Sequence, residues 1–380
     1  MEFITDIITP ARLTGTVQAL TTGGLPFAAV PPVIGVDTPS PGFGSTAAGL
    51  PNLFPVQQTD DIEYELVNSD MTGSGEVARY RSWDTKPKIG KRPSITTIEG
   101  EIVPLDWSYR LNEKDLQRYA RFRDALSGGA AAAGRDTRVV DVLTADAVRA
   151  AGAVHNRITL AHAEILSAGT MTLTELGDPE TGNALAATFP VPASHFAAAS
   201  VPWSTLATAD AVTDLKAAEE IYADDNNGDV PEEWWISRTV AAELLQHTKL
   251  LNKLVFAVGA SNAAGLPNME ILNQVLRVHG VEAPIRVVDV KRPPLAGGGR
   301  SSVLQARKVI GVRAGMGRTL FTPPASASLM PADARIEAQN QAGVIAYSQS
   351  DVRPAEVVTT AEAVSVPVLS NPNALFVLSV

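Results

Sequence analysis

The segment from Asp136 to about Ala168 limits most strongly what this chain can fold into, because its apolar residues recur three and four positions apart for more than thirty residues. The recurring positions are Val139, Val140, Leu143, Ala147, Ala150, Ala151, Val154, Ile158, Ala161 and Ile165. At a rise of 1.5 Å per residue, a helix over this stretch is roughly 50 Å long, which exceeds the length of an average helix in a globular protein. It lacks the strict a/d repeat of a coiled coil. We therefore predict one long helix over 136–168, with one continuous apolar stripe.

Two strand-like segments precede this helix and predict a projecting hairpin. Residues 61–66 alternate apolar and acidic side chains, and residues 94–111 are rich in strand-forming types. The long stretch between them, residues 71–92, is basic in a chain of net charge −10. Its basic residues are Arg79, Arg81, Lys86, Lys88, Lys91 and Arg92, against Glu76 and Asp84. Two interpretations stay open for this tip: a solvated loop, and a surface that docks on an acidic neighbour.

The N-terminal segment is unusual because residues 26–55 carry almost no charge while being rich in Pro, Gly, Ser and Thr. Scattered apolar residues such as Phe27 and Phe43 distinguish it from an ordinary linker, which is more polar. We interpret it as an extended arm that becomes ordered when it lies on another surface, such as a neighbouring subunit. A loop-rich wrap over its own domain is the alternative.

The C-terminal half alternates helical and strand-like patterns, which indicates a compact α+β or α/β domain. A hairpin is predicted over 170–191, directly after the long helix. The predicted helices are 210–222, 239–246 and 268–278, and the predicted strands are 233–237, 285–290 and 308–313. Two further strand-like runs, 364–368 and 374–380, flank a turn at 370–373. We expect the last run to be built into a sheet.

No catalytic or metal-binding pattern rises above chance in this sequence. It has no cysteine, which excludes disulfides, thiolate metal sites and cysteine nucleophiles. His155 and His162 share a helix face but lie about 10.5 Å apart along the axis, too far to chelate one metal alone. We interpret them, with His195, His247 and His279, as packing or surface residues. The acidic run 224–229 departs from the EF-hand spacing and is predicted to be a turn before the strand at Trp234.

Composition excludes further classes of function. The net charge of −10 argues against a protein whose main task is to bind nucleic-acid phosphates. Glu2 and Asp6 stand where a secretory signal would carry basic residues, so no export is expected. The longest apolar runs fall short of the roughly 18 to 20 residues that a membrane span needs. We predict no enzyme activity, no cofactor and no membrane association.

The order of these elements and the C-terminal residues together resemble one known family. Asp351-Val-Arg-Pro354 and the run from Val366 to Val380, with its Pro-Val-Leu and Asn-Pro-Asn groups, are similar to the ending of the lambda-type major head proteins of tailed phages, also called phage capsid protein E. Two weaker similarities support this: a hairpin follows the helix end at 157–169, and residues 285–289 precede a Gly-Met-Gly-Arg-Thr loop. The glycine insertion at 297–299 is a departure from the family pattern.

The resemblance implies an α+β fold of the Hong-Kong-97 type, divided in a characteristic way. The implied parts are an N-terminal arm (1–58), an extended E-loop hairpin (59–111), a peripheral domain (112–199) with its spine helix (136–168), an axial domain (200–330) and return strands of both domains (331–380).

The resemblance also implies a function and its partners. The chain would assemble in the host cytoplasm with itself, as hexamers and pentamers, into the icosahedral virion capsid around double-stranded DNA, which it would contact only weakly. A separate scaffolding protein, a portal and a decoration protein are the further partners expected. The alternatives are an encapsulin-type shell of a bacterial compartment and a soluble hydrolase with an unrecognised acidic site.

Overall fold

The computed structural model describes most of the chain beyond residue 52. The described ranges are 53–69, 95–117, 136–173, 185–258, 269–293, 299–326, 344–352 and 355–380. The predicted arm up to residue 52 and the hairpin tip therefore lie outside the described residues, as do Gly297 and Gly298. The charged sequence of 112–126 also predicts a short helix and the glycine-rich sequence of 127–134 a joint, and most of the first range and all of the second lie outside the described residues as well.

Helices and strands alternate along much of the described part of the chain. The helices are α1 (Asp136–Ala168), α2 (Ala211–Asp225), α3 (Arg238–Leu244), α4 (Thr248–Val258) and α5 (Met269–Val278). The strands are β1 (Val56–Gln58), β2 (Glu63–Ser69), β3 (Ile95–Glu101), β4 (Pro104–Leu111), β5 (Thr170–Leu173), β6 (Leu185–Thr188), β7 (Phe196–Ala198), β8 (Glu233–Ile236), β9 (Ile285–Val287), β10 (Lys291–Arg292), β11 (Ser301–Ser302), β12 (Lys308–Val312), β13 (Arg318–Thr322), β14 (Ile345–Val352), β15 (Ala355–Val368) and β16 (Phe376–Ser379). Short 3₁₀ turns cover Ala193–His195 and Pro372–Ala374.

The long helix has the bounds predicted from its periodicity. Its described apolar stripe is buried at Ala147, Ala150, Ala151, Val154, Ile158, Ala161 and Ile165. The helix ends at Gly169, which has a φ of 65°, a conformation that glycine adopts without steric cost. The predicted hairpin follows at once, because β5 and β6 pair antiparallel from Thr170 to Thr188. Both predictions are confirmed.

A five-stranded sheet covers α1, and β15 is its longest strand. β4 lies along one side of β15 and runs antiparallel to it from Pro104 to Leu111. β13 and β14 follow one another along the other side, and β1 joins β13 in parallel at the edge. The inward side chains of β15 are small or β-branched, at Val357, Thr359, Ala361 and Ala363, and all are buried. They leave room for the helix to pack closely against the sheet.

A second five-stranded sheet has the order β7-β16-β12-β8-β9 and separates two hydrophobic clusters. Successive side chains of a strand point to opposite faces, so each strand serves both clusters. Trp235, Ile310 and Val377 belong to the cluster around α1. Trp234 and Phe376, on the other face, belong to the cluster formed with α2 to α5. The prediction that the last apolar run is built into a sheet is confirmed by β16, which lies between β7 and β12.

Some elements differ from the predictions in extent. β15 begins at Ala355, nine residues before the predicted strand start at Val364. The reason is that its first half, Ala-Glu-Val-Val-Thr-Thr-Ala-Glu-Ala, has few large apolar residues, which gives a weak apolar pattern. The helix α4 was not predicted, since its apolar run Leu-Val-Phe-Ala-Val also fits a short buried strand. No local pattern predicted β13 or β14, although β14 lies within the range 331–380 that the resemblance assigns to return strands.

Candidate intersubunit surface

The predicted hairpin is present, and its stem is a two-stranded sheet separate from the rest. β2 and β3 pair antiparallel from Glu63 opposite Glu101 to Ser69 opposite Ile95. The backbone N–H of Ile102 donates to the carbonyl of Ile62 at 2.7 Å and extends the stem to the edge of the body. Among the described residues no third strand joins this pair. The stem is thus a two-stranded ribbon whose outer edges pair with no further strand within the described ranges.

One face of the stem carries four carboxylates in two directly opposed pairs. Glu63 stands opposite Glu101, and Glu65 stands opposite Glu99. All four side chains are exposed. Like charges that are directly opposed across two strands destabilise the pairing. This face is therefore strongly negative, whereas the tip of the same hairpin is basic in sequence.

The other face of the stem is closed over by an aromatic ring. Tyr64 lies opposite Gly100, and a Cβ at Gly100 would stand 2.4 Å from the hydroxyl oxygen of Tyr64. Burial raises the pKa of Tyr64. Glycine is thus the residue that lets the ring lie flat on the stem.

The six basic residues proposed from the sequence for intersubunit contact all lie in the stretch between β2 and β3, outside the described residues. These residues are Arg79, Arg81, Lys86, Lys88, Lys91 and Arg92. Their docking on a neighbour stays a prediction.

The strand β4 offers a second candidate surface that sequence reasoning missed. β15 pairs with one side of β4, and no strand pairs with its other side within the described part of the chain. Asp106 stands directly opposite Glu362 in this register. Trp107, at the next position and therefore on the opposite face of the sheet, keeps 52% of its surface exposed. The alternation in Leu105-Asp-Trp-Ser-Tyr109 indicated two faces, but the strand that pairs with these residues lies far away in sequence, in the last part of the chain.

The base of the arm is fixed in the core around α1. Leu53 and Phe54 are fully buried, although the sequence analysis assigned them to the arm. The ring of Phe54 stacks on His162 of α1 with a centroid distance of 4.6 Å. The hydroxyl of Thr319 donates to the carbonyl of Phe54 at 3.3 Å, and Gly317 N–H donates to the carbonyl of Leu53 at 2.9 Å. Residues 53 and 54 are therefore anchored in the core.

The histidines take up packing positions rather than a cluster. Burial lowers the pKa of His162 to about 3, and its Nε2 lies 2.8 Å from the Thr319 hydroxyl. Burial, with the charge of Arg292, lowers the pKa of His155 to about 4. His195 Nδ1 lies 2.8 Å from the carbonyl of Leu375, and His247 Nε2 lies 2.7 Å from that of Trp203. Of the two interpretations, packing or surface residues, these four histidines fit packing, because all four are buried.

The oxygen atoms of two buried carboxylates accept hydrogen bonds from other residues of the chain. Asp214 accepts hydrogen bonds from the indole N–H of Trp203 at 3.0 Å and from the hydroxyl of Ser200 at 2.9 Å. Glu219 accepts from the indole N–H of Trp234 at 3.2 Å and from two backbone N–H groups, of Glu282 and Ala283. These hydrogen bonds attach the helix α2 to the residues around it, which favours a structural role for both carboxylates over acid–base chemistry.

The acidic run 224–229 was predicted to be a turn, but its first two residues are the end of α2 and the turn covers 226–228. Asn227 and Gly228 have positive φ angles of 57° and 89°, and Asp229 pairs with Arg313 at 2.9 Å. Across the described ranges, no three His, Asp or Glu side chains are grouped so that they could hold a metal ion. No helix in those ranges combines the length and apolar character that crossing a membrane requires.

Comparison with known proteins places this geometry in a family and a fold. The sequence model of the family described as phage major capsid protein E matches residues 58–380. No curated protein sequence matches the chain.

Among solved structures, a protein described as a prophage capsid protein of Escherichia coli CFT073 is 12% identical, with a TM-score of 0.50 over 76% of this chain and 80% of that one. A phage-related protein of Bordetella bronchiseptica RB50 is 15% identical, with a TM-score of 0.45 over 86% and 90% of the two chains. The holo-SrpI encapsulin of Synechococcus elongatus PCC 7942 is 10% identical, with a TM-score of 0.39 over 86% and 85%. The likeness to the first structure confirms the predicted α+β fold of the Hong-Kong-97 type.

Proposed function

The chain belongs to the phage major capsid protein E family, and on that premise we propose that its copies assemble as hexamers and pentamers into an icosahedral shell around double-stranded DNA. The role of the protein is structural: it is a major capsid protein that forms a shell by association with itself, and its place is the virion capsid. The single observation that carries the proposal is the family match from residue 58 to residue 380, which includes both sheets and the spine helix.

The domain division of the sequence analysis is part of this proposal. We assign 1–58 to the arm, with residues 53–58 as its base inside the body, 59–111 to the E-loop, 112–199 to the peripheral domain, 200–330 to the axial domain and 331–380 to the return strands. The stem formed by β2 and β3 supports the second assignment for residues 63–101, because it is separate from both larger sheets, whereas β4 pairs with β15 in the first sheet. Two hydrophobic clusters on opposite faces of the second sheet support a division between the spine helix and the helices α2 to α5.

The proposal extends to partners and place of assembly. A scaffolding protein, a portal and a decoration protein would act with the shell, and assembly would take place in the host cytoplasm. Packaged DNA would be held loosely, because a chain of net charge −10 repels phosphates at long range. Tight, salt-sensitive binding of DNA by the purified subunit would contradict that part. No catalytic residue or cofactor is needed for this role.

Electron microscopy of the expressed protein, alone and together with its neighbouring gene products, tests the proposed function. Closed icosahedral shells of uniform diameter are the expected result. A stable monomer under all assembly conditions would contradict it, and shells that enclose a cargo protein in place of DNA would favour the compartment alternative.

The basic hairpin tip is proposed to dock on an acidic surface of a neighbouring subunit. Reversal of the charges of Arg79, Arg81 and Lys86 to Glu should block shell formation, because an attractive contact becomes repulsive. The circular dichroism of the unassembled subunit should stay unchanged. Normal shells from the reversed variant would contradict the docking of the tip.

A further inference from the structure

The hairpin formed by β10 and β11 lies against the spine helix and contains the glycine insertion at 297–299. Its two strands pair antiparallel and form a two-stranded sheet of their own. β10 contacts α1 directly. Beside the strands, Val290 and Val303 pack against the hydrophobic cluster around α1, and the backbone N–H of Val303 donates to the carbonyl of Val290 at 2.9 Å. The base of this hairpin is therefore fixed on the helix.

His155 of α1 is buried without a hydrogen bond to its ring. It keeps 5% of its surface exposed, and within the described part of the chain neither Nδ1 nor Nε2 has a hydrogen-bond partner. The other buried histidines, His162, His195 and His247, each have at least one ring nitrogen within hydrogen-bond distance of an oxygen atom. A neutral imidazole carries one N–H donor and one acceptor nitrogen, and leaving such groups unsatisfied in the interior destabilises a fold. The ring of His155 is thus a position at which a ligand can supply the missing partner.

The groups beside His155 are positively charged. Burial and the charge of Arg292 lower the pKa of His155 to about 4, and burial and the charge of Arg300 lower the pKa of Arg292. Such couplings act between groups that are close together. Arg292 lies on β10, and Arg300 directly precedes β11. The spine helix and the hairpin thus bring two guanidinium groups and one imidazole together.

The surroundings leave this site positive and accessible from solvent. Asp289 is the one acidic residue from β9 to β11 in the sequence, and its carboxylate pairs with Arg238 at 3.4 Å and Lys291 at 3.7 Å. Arg300 is exposed. A Cβ added to its neighbour Gly299 would meet no atom within 4 Å. A negatively charged ligand therefore has room to approach Arg300 from solvent.

A phosphate group fits these features better than water or a cation. Guanidinium groups bind phosphate oxygens through pairs of N–H···O hydrogen bonds. An anion beside Arg292 and Arg300 also offsets the repulsion between their like charges, and the N–H of a neutral His155 is a further donor. A water molecule would satisfy the ring and leave that repulsion in place, whereas a cation would add to it.

We propose that His155, Arg292 and Arg300 form a binding site for a phosphate group at the base of the β10–β11 hairpin. The inference goes beyond the proposed shell, because it concerns the single subunit and holds whether or not subunits assemble. Free inorganic phosphate and the phosphodiesters of DNA offer the same chemistry. In the second case the site would give an acidic chain one local contact with packaged DNA, in keeping with loose binding overall.

Thermal unfolding of the unassembled subunit tests the site, with inorganic phosphate replacing sodium chloride at pH 7 and constant ionic strength. At about ten times its Kd, bound phosphate should raise the melting temperature by about 2 °C, and the rise should saturate. The double variant Arg292→Gln, Arg300→Gln should lose this saturable rise. Arg277→Gln with Arg318→Gln, on α5 and β13, is the matched control, because it removes the same charge elsewhere. Arg300→Gln alone changes an exposed position and replaces the double variant if that variant does not fold.

Histidine-selective nuclear magnetic resonance gives a second readout, from the ring itself. At pH 7 the ring signals of His155, assigned through their loss in His155→Gln, should shift as phosphate is added, because an anion beside the ring favours its protonated form. The signals of His247, in the other hydrophobic cluster, should stay unchanged. A rise in melting temperature that is linear and equal in all variants is the general effect of an excluded salt. That result, with unshifted His155 signals, would overturn the proposal.

A short DNA duplex, added under the same conditions, separates the two sources of the phosphate group. Shifts of the His155 signals that the duplex causes and free phosphate reverses would identify DNA as the ligand. Shifts with inorganic phosphate alone would identify the free ion. If neither probe changes the melting temperature or the His155 signals, the site does not exist, and the shell function, which electron microscopy tests separately, is untouched.

Discussion

At the scale of single residues, the contact of Phe54 with Gly317 shows how tightly the arm base is held. A Cβ at Gly317 would stand 2.3 Å from two ring carbons of Phe54 and 2.7 Å from the carbonyl oxygen of Val368. The ring is itself fixed by its stacking on His162. Three segments that are far apart in sequence therefore meet at a position that only glycine fits.

Gly317→Ala should lower the free energy of unfolding by about 1–3 kcal/mol, the usual cost of overpacking a core. Gly152→Ala is the matched control: Gly152 lies inside α1 with no atom within 4 Å of an added Cβ. That substitution should raise the free energy of unfolding by about 0.5–1 kcal/mol, because alanine favours the helix. Urea denaturation of the unassembled subunit measures both. Equal effects of the two substitutions would contradict this account.

The buried histidines predict a pH dependence of stability. His162 and His155 have folded-state pKa values of about 3 and about 4, lowered by burial from the ordinary value of 6.5. In the unfolded chain they take up protons below about pH 6.5, whereas the folded chain excludes them. The free energy of unfolding is thus unaffected by these two histidines above pH 6.5. It falls by about 1.4 kcal/mol per pH unit for each histidine as the pH drops toward the pKa values of the folded state.

Urea midpoints measured between pH 6.5 and pH 5 test this prediction. His162→Gln should remove about half of the slope, because glutamine does not titrate. An unchanged slope in this variant would show that other groups dominate the pH dependence.

At the scale of elements, the C-terminal end of α1 is stabilised by a residue from another strand. The last turn of the helix has no basic residue of its own. Lys308 of β12 donates to the carbonyl oxygen of Ser167 at 2.6 Å, and burial lowers the pKa of Lys308. A cation at this end interacts favourably with the helix dipole and satisfies a free carbonyl group. The spine helix and the second sheet are joined at this point.

Lys308→Met should destabilise the unassembled subunit by about 1 kcal/mol, since the methionine keeps the apolar stem and loses the charge and the hydrogen bond. Lys308→Arg keeps both features and serves as the control. Thermal unfolding compares the two variants. If both unfold at the temperature of the unsubstituted chain, the lysine is not a helix cap.

Local sequence patterns predicted individual helices and strands but not which strands pair with one another. The stripe on α1 and the alternation in the hairpin stem are properties of consecutive residues, so both elements were predicted from sequence. The opposition of Asp106 and Glu362 depends on the register of β4 against β15, which is set by packing across 256 positions. The burial of Leu53 likewise could not be predicted, because an apolar residue in an uncharged segment fits an arm as well as a core. The candidate surface on β4 was missed for this reason.

At the scale of the whole molecule, residues 53 to 58 belong to the body. Leu53 and Phe54 fill the core around α1, and β1 extends the first sheet from Val56. The body therefore depends on these few residues for its own folding. The residues before them are proposed to serve contacts between subunits.

Removal of residues 1–50 should leave the fold of the subunit intact and weaken the shell. Removal of residues 1–55 should also cost at least 3–5 kcal/mol, because a fully buried phenylalanine and leucine are lost. That cost is a large part of the 5–15 kcal/mol that stabilises a typical domain. Circular dichroism melts compare the two shortened chains. Equal melting temperatures would contradict the anchoring of the arm, and an unfolded 51–380 chain would show that the arm belongs to its own domain.

The interior position of β16 in the second sheet also determines when the chain can complete its folding during translation. β7 is held in that sheet by β16 alone among the described strands, yet about 180 residues separate the two in the chain. At about 5–20 residues per second, a ribosome needs roughly 10 to 35 s to pass from one to the other. The sheet cannot close until residue 379 has been translated. A nascent chain therefore finishes folding only after nearly all of it has been made, which delays its entry into a growing shell.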